Sequence, residues 1–277
     1  MKKKIIDLVK SVLGNVEFAR RGLKYSSDEL IVLCMHSTPA DQMNTFDELV
    51  DFLLQHFKPL LPTQLEDYHS QKMNDGPYVL FTFDDGLKNN LYVADLLSKR
   101  NIKAFFFLVP AFILSMEQKQ YYRTNIRQVI DPNFDKHEED FIAMSANDIQ
   151  LLLDDGHAIG SHTMTHLLRS TSTDEEVKRE VSESKKALQK LVGVEVQSFC
   201  SPINTSISVN SIAKKSIAEE YQYHFTTFPG LNGKKKNRQI IFRRNIEVNW
   251  PLGKIKFALG RSDLRRWDQS VAQYEDA

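Results

Sequence analysis

The sequence has few cysteines and no long apolar run. Only two of its 277 residues are cysteines, Cys34 and Cys200, and both lie in apolar surroundings without the short spacing of cysteine metal motifs. A disulfide-based scaffold is therefore not expected, and a reducing compartment fits the composition best. No stretch of about 18 consecutive apolar residues occurs, so no membrane-spanning helix is expected.

The chain also lacks an excess of charge of either sign. Lysine and arginine together number 36, and aspartate and glutamate together number 36. Proteins that bind nucleic acid through its phosphates usually carry a basic excess. No nucleic-acid partner is therefore expected, and the single basic run, residues 234–236, is typical of a solvated loop.

The basic N-terminus is followed by an amphipathic helical pattern and not by a signal peptide. Asp7 and Lys10 interrupt the apolar stretch, and no small-residue cleavage site follows it. We assign residues 1–25 to an N-terminal helix and expect its apolar stripe to pack on the rest of the protein. Peripheral contact with an anionic membrane surface is the alternative. The stripe consists of Ile5, Leu8, Val9, Val12, Leu13 and Val16.

Residues 26–277 are predicted to form a single catalytic domain in which strands alternate with helices. Such alternation indicates a parallel α/β architecture. The polar stretch around 115–140 is expected to be an insertion or a lid-like loop. Strands are predicted at residues 30–36, 78–83, 103–109, 196–200, 224–228 and 240–248, and helices at 46–57, 88–100, 145–155 and 174–191.

Two adjacent carboxylates, Asp84 and Asp85, follow the apolar strand that ends at Phe83, and Gly86 comes next. In parallel α/β folds the functional sites lie at the carboxyl ends of the strands. One aspartate there would suit a helix N-terminus. Two neighbouring carboxylates repel each other where water is scarce, so the pair indicates a cation.

A second cluster of metal-ligand types lies in the segment HTMTH, residues 162–166. His162 and His166 are four residues apart and would share one face of a helical turn. Together with a strand-end carboxylate they form a two-histidine, one-carboxylate set, which suits zinc or another first-row divalent metal with an open position. His157, just upstream, is interpreted as structural.

The segments TFDDG (residues 82–86) and HTMTH, in this order and strand context, resemble motifs of the polysaccharide deacetylases, carbohydrate esterase family four. The resemblance extends more loosely over residues 30–250. It implies a distorted (β/α) barrel of about seven parallel strands. It also implies that Asp84 is the general base and that Asp85, His162 and His166 hold a divalent metal, with zinc as the expected ion.

The chain departs from the family's third motif, Arg-x-Pro-x-Gly. The segment FCSPIN, residues 199–204, keeps the proline but has Cys200 at the arginine position. Arg243 or Arg244, from a neighbouring strand, is the expected replacement. By the same analogy, the backbone N–H of Ile203 would bind the oxyanion.

The histidine acid that the family supplies near its C-terminus is also missing, because no histidine follows His224. His36 lies at the carboxyl end of the first strand and is our candidate for this acid, with a structural role as the alternative. His224 begins a strand, at the wrong end for a site, and is interpreted as structural.

These features predict a metal-dependent hydrolase that removes an N-acetyl or other acyl group from a sugar. One alternative is a carbohydrate-binding or assembly protein that retains the metal site without turnover, which the altered motifs favour. Another is an amidohydrolase or deformylase that acts on a non-polymeric amide. We expect a cytoplasmic enzyme, peripheral to the inner membrane if its helix contacts lipid, that acts in bacterial surface polysaccharide biosynthesis on a nucleotide- or lipid-linked N-acetylated sugar.

Overall fold

The computed structural model describes residues 2–126, 140–202, 209–233, 239–260 and 274. This part of the chain contains nine strands, and every pairing between them is parallel. The strands are β1 Leu30–Met35, β2 Lys58–Pro59, β3 Tyr78–Phe83, β4 Phe105–Leu108, β5 Ala158–Ser161, β6 Ser198–Cys200, β7 Tyr223–Phe225, β8 Ile240–Ile241 and β9 Arg244–Asn245.

Helices surround this sheet, and two of them continue into π-helical segments. The helices are α1 Lys2–Arg21, α2 Met43–Leu54, α3 Leu65–His69, α4 Asn90–Lys99, α5 Pro110–Ile113, α6 Gln118–Tyr121, α7 Ala146–Asp154, α8 Asp174–Val177, α9 Ser184–Val192, α10 Ser211–Glu220 and α11 Leu252–Ala258. The π-helical segments, Tyr122–Ile126 and Lys178–Glu183, continue α6 and α8.

The strand order is β8-β7-β6-β5-β4-β3-β1-β9, with β2 beside the start of β3. The two edge strands, β8 and β9, are consecutive in sequence, with only Phe242 and Arg243 between them. Three Cα–Cα steps reach at most about 11 Å, so the sheet must curl until its edges approach each other. The expected distorted (β/α) barrel is thereby confirmed, with eight strands in its path in place of about seven.

Alternate residues of β1 and β3 face opposite sides of the sheet, and both sides are buried. The two strands pair from Leu30 with Tyr78 to Met35 with Phe83. One set of side chains, including Leu33 and Phe81, packs against the helices, and the other packs inside the barrel. Burial on both faces explains why these strands are continuous apolar runs.

The barrel interior is apolar at one end and polar at the carboxyl ends of the strands. Phe225 packs on Phe105 and Phe107, with ring centroids 5.0 and 4.8 Å apart. Further along β3, Thr82 points inward and donates a hydrogen bond to the Leu33 carbonyl over 2.7 Å. The aromatic floor therefore leaves the polar groups gathered at one opening, where parallel barrels carry their sites.

The predicted strands differ from the structure at three places, of which the unpredicted two-residue strand β2 is the smallest. The predicted strand at 240–248 is two short strands on opposite edges of the sheet, because the chain crosses the barrel seam at Phe242 and Arg243. β5 was not predicted, since its sequence AIGS has no β-branched or aromatic pattern beyond one isoleucine. Residues 118–126 of the predicted insertion form α6 and a π-helical segment, and 127–139 lie outside the described residues.

Helix α1 packs on α11 through its small and polar side. A Cβ on Gly14 would lie 2.0 Å from the Gly253 carbonyl oxygen, and one on Gly253 would lie 2.4 Å from the Ser11 hydroxyl, so both glycines are required for this crossing. Asp7 pairs with Lys254 over 2.8 Å.

The prediction that the apolar stripe of α1 is buried is wrong. The helix turns its opposite side to the protein, and its apolar residues are exposed: Ile5 56%, Ile6 52%, Leu8 66%, Val9 50%, Val12 54%, Leu13 50% and Val16 43%. Among the described residues, no helix is both long enough and apolar enough to cross a bilayer.

Candidate active site

The turn after β3 directs two adjacent carboxylates into the barrel opening. The Asp84 N–H donates to the Met35 carbonyl over 2.9 Å, and both Asp84 and Asp85 are buried. Asp85 has a φ of 74° and Gly86 a φ of 76°, in the left-handed region that is costly for residues other than glycine. Such backbone strain persists where the surroundings hold it, often at functional sites. Helix α4 begins only at Asn90, so neither aspartate caps it.

Asp85 lies between the two histidines of the HTMTH segment. Its Oδ1 is 3.6 Å from Nε2 of His162 and 3.6 Å from Nε2 of His166. All three side chains are buried, and their candidate ligand atoms lie within 4.8 Å of one another. Metal bonds of about 2.0–2.2 Å place the ligands of a tetrahedral ion roughly 3.3–3.6 Å apart, so this set fits a zinc-sized cation.

The other ring nitrogen of each histidine is held by a backbone carbonyl. His162 Nδ1 lies 2.9 Å from the Cys200 carbonyl oxygen, and His166 Nδ1 lies 3.3 Å from that of Asn125. A proton on Nδ1 satisfies both contacts and leaves Nε2 of each ring as the ligand atom, which is the usual arrangement around metal-binding histidines.

Burial keeps both imidazoles neutral. It lowers the pKa of His162 to about 4 and the pKa of His166 to about 3, and in His166 the nearby His162 adds to the effect of burial. Because only the neutral ring can bind a metal ion, both side chains are competent ligands at neutral pH.

The histidines do not share a helical turn, and that prediction is wrong. His162 directly follows β5, and His166 lies in a loop where it and Thr163 adopt φ values of 68° and 67°. Fully buried Glu180, in the second π-helical segment, accepts hydrogen bonds from the Thr165 N–H (2.8 Å) and hydroxyl (2.7 Å). This buried acid, which the sequence analysis missed, fixes the loop that presents His166.

A buried arginine holds Asp84. Arg243 is fully buried, and its Nη1 and Nη2 donate to the two carboxylate oxygens of Asp84 over 2.7 Å each. Its Nε donates to the Thr226 carbonyl over 3.0 Å, and this hydrogen bond fixes the orientation of the guanidinium group. Burial alone would raise the pKa of Asp84, but the Arg243 guanidinium outweighs it and holds that pKa well below its usual range.

Cys200 provides the space for this arginine. Its Sγ contacts Nη2 of Arg243 at 2.7 Å, beside the Asp84 carboxylate. Cys34 contacts the same carboxylate from β1 over 3.3 Å. The guanidinium from the barrel seam therefore meets Asp84 next to the residue that replaces the motif arginine. The Arg244 side chain instead donates to the Ala258 carbonyl of α11, away from the site.

His36 lies just beyond β1, on the opposite side of Asp84 from the HTMTH loop. Its Nδ1 is 3.1 Å from Oε1 of Glu247, and a ring nitrogen lies within 4.8 Å of the Asp84 carboxylate. Burial alone would lower the pKa of His36, but the Glu247 carboxylate outweighs it and raises the pKa to about 10. His36 is therefore a protonated, partly exposed acid at neutral pH.

Of the two remaining predicted residues, only His224 is described, and it lies outside this cluster of side chains. Ile203, the expected oxyanion donor, is outside the described residues. His224 is buried and lies 2.5 Å from the Ser201 hydroxyl, and burial lowers the pKa of His224 to about 3. The sequence analysis missed Glu247, whose only signal is a single acidic residue between two apolar residues of a strand-like run.

Replacing His162 with alanine is expected to reduce metal content and activity together, because the change removes one of three candidate ligands. Metal analysis of the purified variant and an acetate-release assay measure both effects. His157→Ala is the matched control, since His157 is buried but bonds to Ser98 and to the Ala104 N–H, outside the cluster. Full metal content in a variant that lacks Asp85, His162 and His166 would contradict the assignment.

Comparisons with known proteins bear on the family and the fold of the chain. The family model described as "Polysaccharide deacetylase" matches residues 71–226. A search of curated protein sequences gives no match. IcaB from Ammonifex degensii superposes with a TM-score of 0.65 at 18% identity, covering 83% of this chain and 96% of that one.

Two further solved structures share the fold. The Streptococcus pyogenes deacetylase PplD has a TM-score of 0.63 at 14% identity, covering 83% of this chain and 98% of its own. The BpsB deacetylase domain from Bordetella bronchiseptica has a TM-score of 0.63 at 18% identity, covering 81% and 98%. With the family match spanning more than half of its residues, the chain belongs to the polysaccharide deacetylase family.

Proposed function

We propose that the protein is a metal-dependent hydrolase that removes the N-acetyl group from a sugar. The observation that carries this proposal is that three groups of side chains lie together at one end of the barrel. These are a carboxylate–imidazole cluster, the Asp84 carboxylate held by Arg243, and the His36–Glu247 pair. Membership of the deacetylase family supports hydrolysis of an amide.

Asp85, His162 and His166 are the residues that would hold the metal, which we propose to be zinc. When bound there, a divalent ion supplies Lewis-acid polarisation of the amide carbonyl and makes the attacking water more acidic. The donor set of one carboxylate and two imidazoles suits such an ion and leaves positions open for water and substrate.

Asp84 is proposed to accept the proton of the attacking water. Its Oδ2 lies 3.8 Å from Nε2 of His162, so this oxygen faces the space beside the metal ligands. The bidentate contact with Arg243 keeps the carboxylate ionised and fixes its orientation, which general-base catalysis requires. The same contact supports this role, because a guanidinium from the segment between β8 and β9 reaches Asp84 where the motif arginine is missing.

His36 is proposed to protonate the leaving amine. Glu247 bonds to its Nδ1, which leaves Nε2 as the proton donor. Because Glu247 holds the ring in its charged form, the proton is present at neutral pH and passes to the leaving nitrogen, which becomes strongly basic as the C–N bond breaks.

Replacing Glu247 with glutamine is expected to move the alkaline limb of the pH–rate profile to lower pH by more than about one unit. An acid must be protonated to act, so activity falls as pH rises through its pKa. Without the carboxylate, the pKa of His36 falls from about 10, and activity is lost earlier. A kcat/KM profile measures this, and His36→Gln should abolish the limb. An unchanged profile in both variants would return His36 to a structural role.

The substrate is proposed to be a nucleotide- or lipid-linked N-acetylated sugar used in surface polysaccharide biosynthesis in the cytoplasm. The two free thiols of Cys34 and Cys200 support a reducing compartment, since both lie buried against the Asp84 carboxylate. Fractionation of the native organism tests this placement, and recovery of the protein outside the cytoplasm and inner membrane would contradict it.

Acetate release from N-acetylated sugars, measured with metal-loaded and chelator-treated protein, tests the proposed function. We expect release that depends on metal and disappears in the His162→Ala variant. Retention of metal without release from nucleotide-linked, lipid-linked or polymeric N-acetyl sugars would favour a carbohydrate-binding protein that has lost turnover. Release of formate or acetate only from small non-sugar amides would favour an amidohydrolase.

A further inference from the structure

Helix α1 is amphipathic, but its apolar side faces solvent and its polar side faces the protein. The seven exposed residues Ile5, Ile6, Leu8, Val9, Val12, Leu13 and Val16 span about three turns of one side, which we call the apolar face. A contiguous apolar surface of this kind marks an interaction site, because isolated soluble proteins rarely leave one uncovered.

The inversion is built into the packing of α1. The contacts with α11 use Asp7, Ser11 and Gly14, and the close approach at Gly14 leaves no room for a larger side chain. Lys10 and Phe18 also face the protein, where Lys10 lies over the Phe257 ring. Rotating the helix to bury its apolar face would break the Asp7–Lys254 ion pair and the glycine crossing. The exposed orientation is therefore the packed one.

The charge of the helix indicates what covers the face. Its sequence contains six basic residues, Lys2, Lys3, Lys4, Lys10, Arg20 and Arg21, against two acidic ones, Asp7 and Glu17, a net charge of +4. Five of the six basic residues lie in the first and last turns, and Asp7 is paired with Lys254 on the protein side. The apolar face is thus bounded by cationic ends and carries no acidic residue.

We propose that α1 docks the protein on a membrane surface that contains anionic lipids. Apolar side chains on such a helix enter the interface between headgroups and acyl chains, while lysine and arginine contact the lipid phosphates. A second copy of the chain fits less well, because both ends of α1 are basic and either parallel or antiparallel pairing would bring like charges together. The proposal is independent of the deacetylase chemistry, since α1 contributes no residue to the site.

Co-sedimentation of the full chain with lipid vesicles tests the proposal. One set of vesicles is pure phosphatidylcholine, and the other is an equimolar mixture with phosphatidylglycerol. We expect the protein to sediment with the mixed vesicles and to dissociate as salt rises. A Leu8→Gln/Val12→Gln double variant should bind at least about tenfold more weakly, because two exposed apolar side chains no longer enter the lipid.

Leu151→Gln/Val194→Gln is the matched control, because it removes a leucine and a valine that are also exposed, by 57% and 44%, from other surfaces. This variant should bind vesicles like the wild type, and thermal unfolding of both double variants should match the wild type. Absence of wild-type binding, or equal binding by all three proteins, would overturn the proposal. Equal binding to both vesicle types would overturn the anionic preference. A dimer by light scattering that Leu8→Gln/Val12→Gln dissociates, without vesicle binding, would assign the face to a second copy.

Discussion

Replacing Asp84 with asparagine is expected to lower kcat by about two to four orders of magnitude while the metal stays bound. Asparagine has nearly the same shape and still accepts a hydrogen bond from Arg243, but it takes no proton from water at neutral pH. The proposed metal ligands Asp85, His162 and His166 are untouched by the change. Steady-state kinetics and metal analysis on the same preparation measure the two effects.

Asp85→Asn is the matched control, because it alters the adjacent carboxylate by the same chemistry. That variant should lose metal, and its activity should recover partly when excess metal is supplied. Asp84→Asn should keep its metal and should not respond to added metal. Turnover by Asp84→Asn at the wild-type rate would show that another group takes the proton.

The buried strands could be predicted because they are covered on both faces. In β1 and β3 every residue is buried, so each appears in the sequence as a continuous apolar run. β5 was not predicted because a close contact between its backbone and a neighbouring side chain restricts its sequence. A Cβ on Gly160 would lie 2.3 Å from the Phe107 ring, so a residue with no β-propensity is required in that strand.

The ligand set could be proposed from residue types and motif order, but the geometry between motifs could not. His36 and Glu247 are 211 positions apart, and they meet because β9 pairs with β1. Arg243 reaches Asp84 because it lies at the seam where the two sheet edges approach. Neither relation leaves a local sequence pattern, since both arise from the closure of the barrel.

The orientation of α1 was predicted wrongly for a related reason. An apolar stripe is usually buried, and the stripe is easily recognised in the sequence. The competing feature is the contact between Gly14 and Gly253, which lie far apart in the chain and bring the polar side of the helix against α11. Two single glycines carry no signal of this crossing until the fold brings them together.

Replacing Arg243 with methionine is expected to lower the free energy of unfolding by about 3–5 kcal/mol at neutral pH, because it leaves the buried Asp84 carboxylate without its partner. The pKa of Asp84, which Arg243 now holds well below its usual range, should rise. A base must be ionised to act, so activity is lost as pH falls through its pKa. The acid limb of the kcat/KM profile should therefore move to higher pH.

The same contact predicts how stability depends on pH. Asp84 has a depressed pKa in the folded protein, so its contribution is fully present above the unfolded value of about 3.9 and is lost as pH falls through the folded pKa. Arg243→Met should lose this contribution at neutral pH already. Urea unfolding measures the free energy of unfolding of Arg243→Met and of the wild type at neutral pH and below about pH 4. The difference between the two proteins should be smaller at the lower pH.

Arg244→Met is the matched control for this experiment, since Arg244 is the next residue, is equally buried and bonds to the Ala258 carbonyl instead of Asp84. Arg244→Met should lower the free energy of unfolding without shifting the acid limb of the kcat/KM profile. Arg243→Lys separates charge from geometry, because lysine restores a positive charge but not the two-pronged contact with the carboxylate. We expect it to recover part of the stability and to leave the acid limb between those of the wild type and Arg243→Met. An acid limb that is the same in Arg243→Met and Arg244→Met would show that Arg243 does not tune the base.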